Sequence, residues 1–238
     1  MLSKNEVKYI QSLCQKRKRQ EEGLFLAEGI KLVDELLQSS FRVRKIYAVA
    51  GWLEQHRGVQ ATEVSEDELL RISGQPAPNQ VLAIVEQQQQ ETSPVWKGRL
   101  TLALDGIQDP GNLGTIIRIA DWFGITQIVA GRDTVELYNP KVIQSTMGSF
   151  LRVQVWYTDL YDALLTAGVP VLGTLLEGNN LYQAGKFSEA VVLIGNESKG
   201  IQPALLPLIT HPITIPRIGH AESLNAAVAT GVVLSHIV

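Results

Sequence analysis

From residue 99 onward, short β-rich apolar runs alternate with stretches patterned as helices, and this alternation restricts the fold more than any other feature of the chain. The runs are LTLALD (100–105), QIVAG (127–131), LRVQVW (151–156), PVLGTLL (170–176), AVVLIGN (190–196) and ITIP (213–216). Helical spacing predicts crossover helices near 112–124, 140–147, 159–167 and 200–208. Parallel strands need such crossovers, and strands covered on both faces read as continuous apolar runs. The expectation is an α/β domain built on a mostly parallel sheet. The C-terminal stretch ESLNAAVATGVVLSHIV departs from this pattern because it is apolar almost all the way round. It is expected to be buried on two sides, the second being another copy of the chain.

The segment QQQQETSPVWKG at 87–98 is polar, low in complexity and carries Pro94, so it reads as a linker. Before it lie a helical stretch near 3–19, the short apolar FLAEG, a helix over 29–38, the strand-like KIYAVA at 45–50 and VLAIVE at 81–86. These suit a small mixed α/β domain. The reading therefore divides the chain into a domain over 1–90, a linker over 91–98 and a domain over 99–238. A chain of 238 residues with 45% hydrophobic side chains can supply two cores.

The net charge of −3 is unevenly distributed: residues 1–60 hold 11 Lys and Arg against 7 Asp and Glu, while residues 101–238 hold 7 against 11. Lys16, Arg17, Lys18 and Arg19 form the densest basic run, with Arg42, Arg44 and Lys45 a second. Clustered cations suit a polyanion such as RNA, although a solvated helix end accounts for the run equally well. No apolar run is long enough to span a bilayer, and the first twenty residues lack the apolar core of a signal peptide. The single cysteine, Cys14, has no intramolecular partner, so the expected compartment is the cytoplasm.

A parallel α/β domain invites a nucleotide, yet neither G-x-G-x-x-G nor G-x-x-x-x-G-K-[ST] occurs. His56, His211, His220 and His236 do not stand at metal-ligand spacing, and no metal is expected. There is no G-x-S-x-G elbow. Polar residues do gather where three strands should end: Asp105 to Asn112, GNESKG at 195–200, and IPRIGHAESLN at 215–225. Ligands collect at such strand exits in open α/β sheets. In the first segment, Asn112 is expected to cap a helix that buries Leu113, Ile116, Ile117, Ala120 and Gly124. Arg118 and Trp122 then share the opposite face as i and i+4 neighbours, which suggests that something docks there. In the second segment, Gly195 and Gly200 permit close backbone approach and Glu197 supplies a carboxylate, although a simple loop and cap fits as well. In the third, Glu222 or Ser223 could be plain capping groups. Asn225, one turn into an apolar helix, needs a partner to escape a desolvation penalty of roughly 1–3 kcal/mol.

Taken in order, N-L-G-T-I-I-R, I-G-N-E-S-K-G and I-P-R-I-G-H-A-E-S-L-N-A-A-V-A resemble the three motifs of the SpoU/TrmH family of RNA ribose 2′-O-methyltransferases, in the SPOUT superfamily. FLAEGIKLVDELL and QVLAIVE are similar to that family's accessory substrate-binding domain. The resemblance implies a deep C-terminal trefoil knot, which general rules of chain connectivity would not suggest. It also implies S-adenosylmethionine as cofactor, held largely by main-chain groups. By motif position the cofactor contacts are Thr174, Leu175, Gly195, Ile215, Leu224 and Asn225, with Ser223 and Glu197 lining the site. Arg118, Asn112, Glu197, Ser223 and Asn225 are the implied catalytic set, and Lys16, Arg17, Lys18 and Arg19 the RNA contacts. The implied assembly is a homodimer in which Arg118 faces the partner's methyl donor or the incoming ribose. The substrate is RNA, with rRNA favoured over tRNA. The competing reading is a non-catalytic RNA-binding protein that keeps the fold. In NPKVIQSTMGS (139–149), Gln144 and Thr146 stand where many relatives carry arginine and serine, and Lys141 or Arg152 are candidates to compensate.

Overall fold

A computed structural model describes residues 1–88 and 93–238. The chain forms two compact units: Met1–Gln89 with Tyr138–Leu151, and Gln90–Leu137 with Arg152–Val238. The linker expected at 91–98 falls partly outside the described residues, at 91 and 92. Its described remainder is tied to the second unit. Val95 exchanges hydrogen bonds with the Gln127 amide, and Trp96 packs on that unit's core.

The first unit opens with α1 (Lys4–Ser12) and α2 (Lys16–Glu22), where the sequence pattern suggests one helix over 3–19. The break at 13–15 leaves carbonyls without helical partners. Arg19 supplies them, donating from Nη1 to the Leu13 and Cys14 carbonyls at 2.9 and 2.7 Å. The elements that follow are β1 (Leu24–Glu28), α3 (Ile30–Leu37), β2 (Val43–Ala48), α4 (Ala50–Gln55), β3 (Thr62–Glu63), α5 (Glu66–Ile72) and β4 (Val81–Glu86). A Ser65–Glu68 capping box starts α5. The four strands order as β1-β4-β2-β3.

The second unit holds β5 (Leu100–Leu104), α6 (Pro110–Trp122) and β6 (Gln127–Gly131). The chain then contributes α7 (Pro140–Thr146) to the first unit, where Tyr138 and Phe150 pack with Phe25 at ring-centroid distances of 4.6 and 5.9 Å. Burial pushes the Tyr138 phenol up to about 12. The second unit resumes with β7 (Gln154–Thr158), α8 (Leu160–Leu165), β8 (Val171–Asn180), β9 (Ala190–Ile194), β10 (His211–Thr214) and α9 (Ala226–Ile237). Its six-stranded sheet has the order β10-β8-β9-β5-β6-β7, and every neighbouring pair is parallel. The inner strands β9 and β6 are buried at every residue, which is why they read as continuous apolar runs.

Three expectations are corrected. The crossover helix near 200–208 is a single 3₁₀ turn at Leu206–Leu208, because Gly200 adopts φ +68° and Pro203 and Pro207 cannot both sit inside one continuous α-helix. The strand expected at 151–156 begins at Gln154, after a 3₁₀ turn over Ser149–Leu151. The C-terminal helix begins at Ala226, with Asn225 as its cap. Among the described residues no helix is long and apolar enough to cross a membrane.

Candidate functional site

Because all the strands of the second unit run the same way, the residues that follow β5, β8, β9 and β10 emerge at one edge of the sheet. After β5 the chain turns at Gly106 (φ +68°) and enters α6 through an Asp-Pro step. Asp109, not Asn112, is the cap: its Oδ1 accepts from the Asn112 main-chain N at 2.8 Å, and Pro110 occupies the first turn. The Asp-Pro signal was present in the sequence. This correction frees the Asn112 side chain from capping, and its amide is used twice. Asn112 Nδ2 donates to Glu197 Oε1 at 2.5 Å, and Asn112 Oδ1 accepts from Asn225 Nδ2 at 2.8 Å.

Asn225 is the cap of α9 and stands exposed rather than one turn inside a buried helix. Its Oδ1 accepts from the main-chain N of Ala227 and Val228, leaving Nδ2 to reach Asn112. The partner that its amide required is thus found, on a different element. Three segments far apart in the chain are joined by side-chain hydrogen bonds of Asn112. Ser223 is exposed two residues before Asn225.

Glu197 sits half-buried in the loop after β9. Asn196 and Gly200 pair main chain to main chain at 3.0 and 2.9 Å, closing the loop tip. A Cβ at Gly195 would lie 2.4 Å from the Gly200 carbonyl carbon, so only glycine fits there. Thr174 Oγ1, just past the part of β8 that pairs with β9, donates to the Leu193 carbonyl at 3.0 Å, and Thr214 Oγ1 donates to the Leu176 carbonyl at 3.1 Å. These bonds stitch the segments that carry Thr174, Leu175, Gly195 and Ile215. Leu176, Ile218 and Leu224 stand exposed on the same segments. Main-chain groups beside exposed apolar side chains suit an uncharged nucleoside better than a phosphate.

Arg118 is not part of this cluster. It lies six residues beyond Asn112, about 9 Å along the helix axis at ordinary helical rise, and is exposed. Among the described residues its side chain makes no hydrogen bond or ion pair. Trp122 beside it is 86% exposed.

The basic run fares differently. Arg17 pairs with Glu21 at 2.8 Å and Lys18 with Glu22 at 2.5 Å. Arg19 is only 1% exposed and serves the Leu13 and Cys14 carbonyls, so it is corrected from RNA contact to structural group. Lys16 stays exposed. Gln144, in the first unit, accepts from Gln75 Nε2 at 2.8 Å, and Thr146 is buried with its hydroxyl on the Ile143 carbonyl. Arg152 grips Asp121, with Nη2 at 2.8 Å from Oδ2. Among the described residues no group of three or more His, Cys, Asp and Glu could hold a metal.

Asp105, which heads the first polar segment but to which the sequence pattern assigns no role, is 1% exposed just after β5. It accepts from Gln202 N and Gln202 Nε2 at 2.6 Å each, while Asn196 Nδ2 donates to the Gly106 carbonyl at 2.6 Å. Burial pushes the Asp105 carboxyl up, the bonds from Gln202 oppose that, and the nearby Asp133 adds to it.

Comparison with known proteins matches residues 99–235 to the SpoU rRNA Methylase family and residues 4–83 to the MRM3-like substrate binding domain. The chain is 35% identical to the 23S rRNA (guanosine(2553)-2′-O)-methyltransferase RlmP of Bacillus subtilis (strain 168), covering 99% of this chain and 97% of that protein. It is similar in structure to an AdoMet-bound rRNA methyltransferase from Sinorhizobium meliloti, with TM-score 0.88, 32% identity and coverage of 100% and 96% of the two chains. It is also similar to the SpoU methyltransferase AviRb from Streptomyces viridochromogenes in complex with AdoMet, with TM-score 0.85, 26% identity and coverage of 99% and 97%.

Proposed function

The chain belongs to the SpoU rRNA methylase family, and from that premise we propose that it transfers a methyl group from S-adenosylmethionine to a ribose 2′-hydroxyl, in ribosomal rather than transfer RNA. The observation that carries the reading is the hydrogen-bonded chain Asn225–Asn112–Glu197, which joins all three motif segments at the sheet edge. The curated relative named above acts on 23S rRNA, which favours ribosomal RNA.

Thr174, Leu175, Gly195, Ile215, Leu224 and Asn225 would hold the cofactor, largely through main-chain groups. When bound, S-adenosylmethionine supplies an electrophilic methyl on a sulfonium that departs as a neutral thioether. The remaining steps belong to the chain. Asn112 and Glu197 orient the ribose so that its 2′-oxygen lies in line with the methyl carbon. Ser223 and Asn225 line the same space. Arg118 stabilises the alkoxide that develops as the 2′-oxygen forms its new bond to carbon. A guanidinium is a poor proton acceptor at neutral pH, so the hydroxyl proton passes to water or a substrate phosphate oxygen.

Arg118 is exposed and, among the described residues, makes no hydrogen bond to its own chain's polar cluster. We assign it to the site of a second copy, in a homodimer built on α6 and α9, where Trp122 and Val228 are exposed. The way α9 returns from β10, at the sheet edge, to meet α6 through Asn225 and Asn112 supports a C-terminal trefoil knot. The division into an RNA-binding domain over 1–90, a linker over 91–98 and a methyltransferase domain over 99–238 belongs to the same reading, as does a cytoplasmic location. Residues 138–151 then come from the catalytic domain's sequence and fold with the first unit. Lys16, Arg17 and Lys18 remain candidates for RNA phosphates.

The deciding experiment maps ribose methylation across total RNA from cells with and without the gene. One lost 2′-O-methyl in rRNA is expected. An unchanged map, together with no binding of S-adenosylhomocysteine by calorimetry, would sink the proposal.

A further inference from the structure

The loop that carries Glu197 is held at both ends by groups that take no part in the proposed chemistry. At its start, Asn196 Nδ2 reaches the Gly106 carbonyl, while Asn196 Oδ1 accepts from Ser198 N and Lys199 N at 2.9 and 3.0 Å. At its end, Gln202 presents its main-chain N–H and its side-chain amide together, and both oxygens of Asp105 receive them. Asp105 and Gly106 are also the residues from which the chain turns into α6, with Asp109 capping the helix and Asn112 in its first turn. The two halves of the polar cluster are therefore referenced to one point, the end of β5.

We propose that Asp105 is a positioning residue of the methyl-transfer site: by receiving both donors of Gln202 it sets loop 195–202 against the start of α6, so that Glu197 meets Asn112 and the Gly195 main chain holds its place at the sheet edge. This rests on the methyltransferase reading above. A carboxylate suits the task because it is acceptor-only, and two donors converge on its two oxygens. An asparagine in the same pose would set an NH₂ against one of them. Stability alone does not explain the choice. A buried charge carries a large desolvation penalty, and well-packed apolar replacements of buried charged groups are often neutral or stabilising. Burial raises the pKa of this carboxyl, and Asp133 raises it further. What the carboxylate supplies under those conditions is the placement of its neighbours.

The test uses the full chain with Gln202→Ala, Asp105→Asn and the reciprocal pair Asp105→Asn with Gln202→Glu, in which the amide and carboxylate change places. Gln202 is exposed, so Gln202→Ala folds even if Asp105→Asn does not. Hydrogen exchange on the ligand-free protein should show peptides across 195–202 losing protection in Gln202→Ala while β5, β6 and β9 keep theirs. Single-turnover methyl transfer to rRNA should fall about 10- to 100-fold, as expected for a small misplacement of reacting groups. In a Glu197→Ala background the same substitution should cost less than in the wild type, because the part of its effect that runs through Glu197 is already lost. The reciprocal pair should regain both protection and rate. Unchanged exchange over 195–202, or an equal loss of rate in both backgrounds, overturns the proposal. If the wild-type protein methylates no RNA, the functional reading fails, and the exchange measurement still decides whether Asp105 sets the loop.

Discussion

Two polar groupings of this chain, the basic run at 16–19 and the cluster around Asn112, are treated in opposite ways by folding. The four cations are consecutive, but α2 turns each about 100° from the last. Arg17 therefore meets Glu21, Lys18 meets Glu22, and Arg19 enters the interior. Asn112 is 85 residues from Glu197 and 113 from Asn225, yet hydrogen-bonds to both. Neighbours along the chain were dispersed, and distant residues were gathered because each leaves the sheet at the same edge. A charge run is thus a weaker guide to a site than polar residues at successive strand ends.

The sharpest break of this comparison is Arg118→Ala. Single-turnover methyl transfer should fall by roughly 10²- to 10³-fold, the usual cost of removing one donor to a developing oxyanion. Binding of S-adenosylhomocysteine by calorimetry should stay within about threefold. A normal rate would place the stabilising charge elsewhere and leave α6 a role in assembly alone.

The next effect falls on the gathered cluster. Asn112→Asp cannot donate to Glu197 and sets two carboxylates face to face, so its turnover should drop below that of Asn112→Ala. Asn112→Asp combined with Glu197→Gln restores a donor and an acceptor and should recover much of the loss. If the double variant is worse than either single one, the contact matters for something other than its hydrogen bond.

On the dispersed side, the run should divide by burial. Arg19→Ala strips the Leu13 and Cys14 carbonyls, one buried and one part-buried, of a charged donor and should lower unfolding stability by roughly 2–3 kcal/mol, read from the denaturant midpoint. Arg17→Ala should stay within about 0.5 kcal/mol. For RNA binding the ranking reverses. Replacing Lys16 or Arg17 should reduce the slope of log affinity against log salt by about one each, whereas a conservative Arg19→Lys should leave that slope untouched.

The smallest expected effect concerns Glu28, the first unit's counterpart to Asp105. Burial pushes its carboxyl up, against hydrogen bonds from the Ser73 hydroxyl and Gly74 N. A raised folded-state value means that its contribution to stability is complete below the ordinary glutamate range and is lost as pH rises through the folded value. Melting temperatures taken from mildly acidic to neutral pH should therefore fall in the wild type relative to Glu28→Gln. Parallel curves would show that the carboxyl ionises in the folded state as easily as in the unfolded one.

Much of the second unit is legible in the sequence, since β5, β6 and β9 are buried on both faces and their runs lie within two residues of the observed strands. The helix expected at 200–208 failed on two prolines that periodicity does not weigh. Asn112 is of a capping type, but Asp109, three residues earlier and followed by Pro110, takes that place. Asn225 was seen to need a partner, but its partner could not be named. Asp105 and Asn196 stand in the polar segments at the strand ends, but nothing local marks their contacts or points to Gln202, because that meeting depends on β9 pairing with β5.

By itself, then, the sequence determined the alternation of strands and helices, the chemical inventory at the strand ends and, through its motifs, the family. Those properties are written in side-chain periodicity and local composition, which are set within a few residues. Tertiary structure alone decided that Asn112 would stand between Glu197 and Asn225, that Arg19 would turn inward and that Asp105 would hold the Glu197 loop. Strand order and helix docking come from burying surface between segments a hundred residues apart, and no local pattern encodes which of several apolar strands will lie side by side.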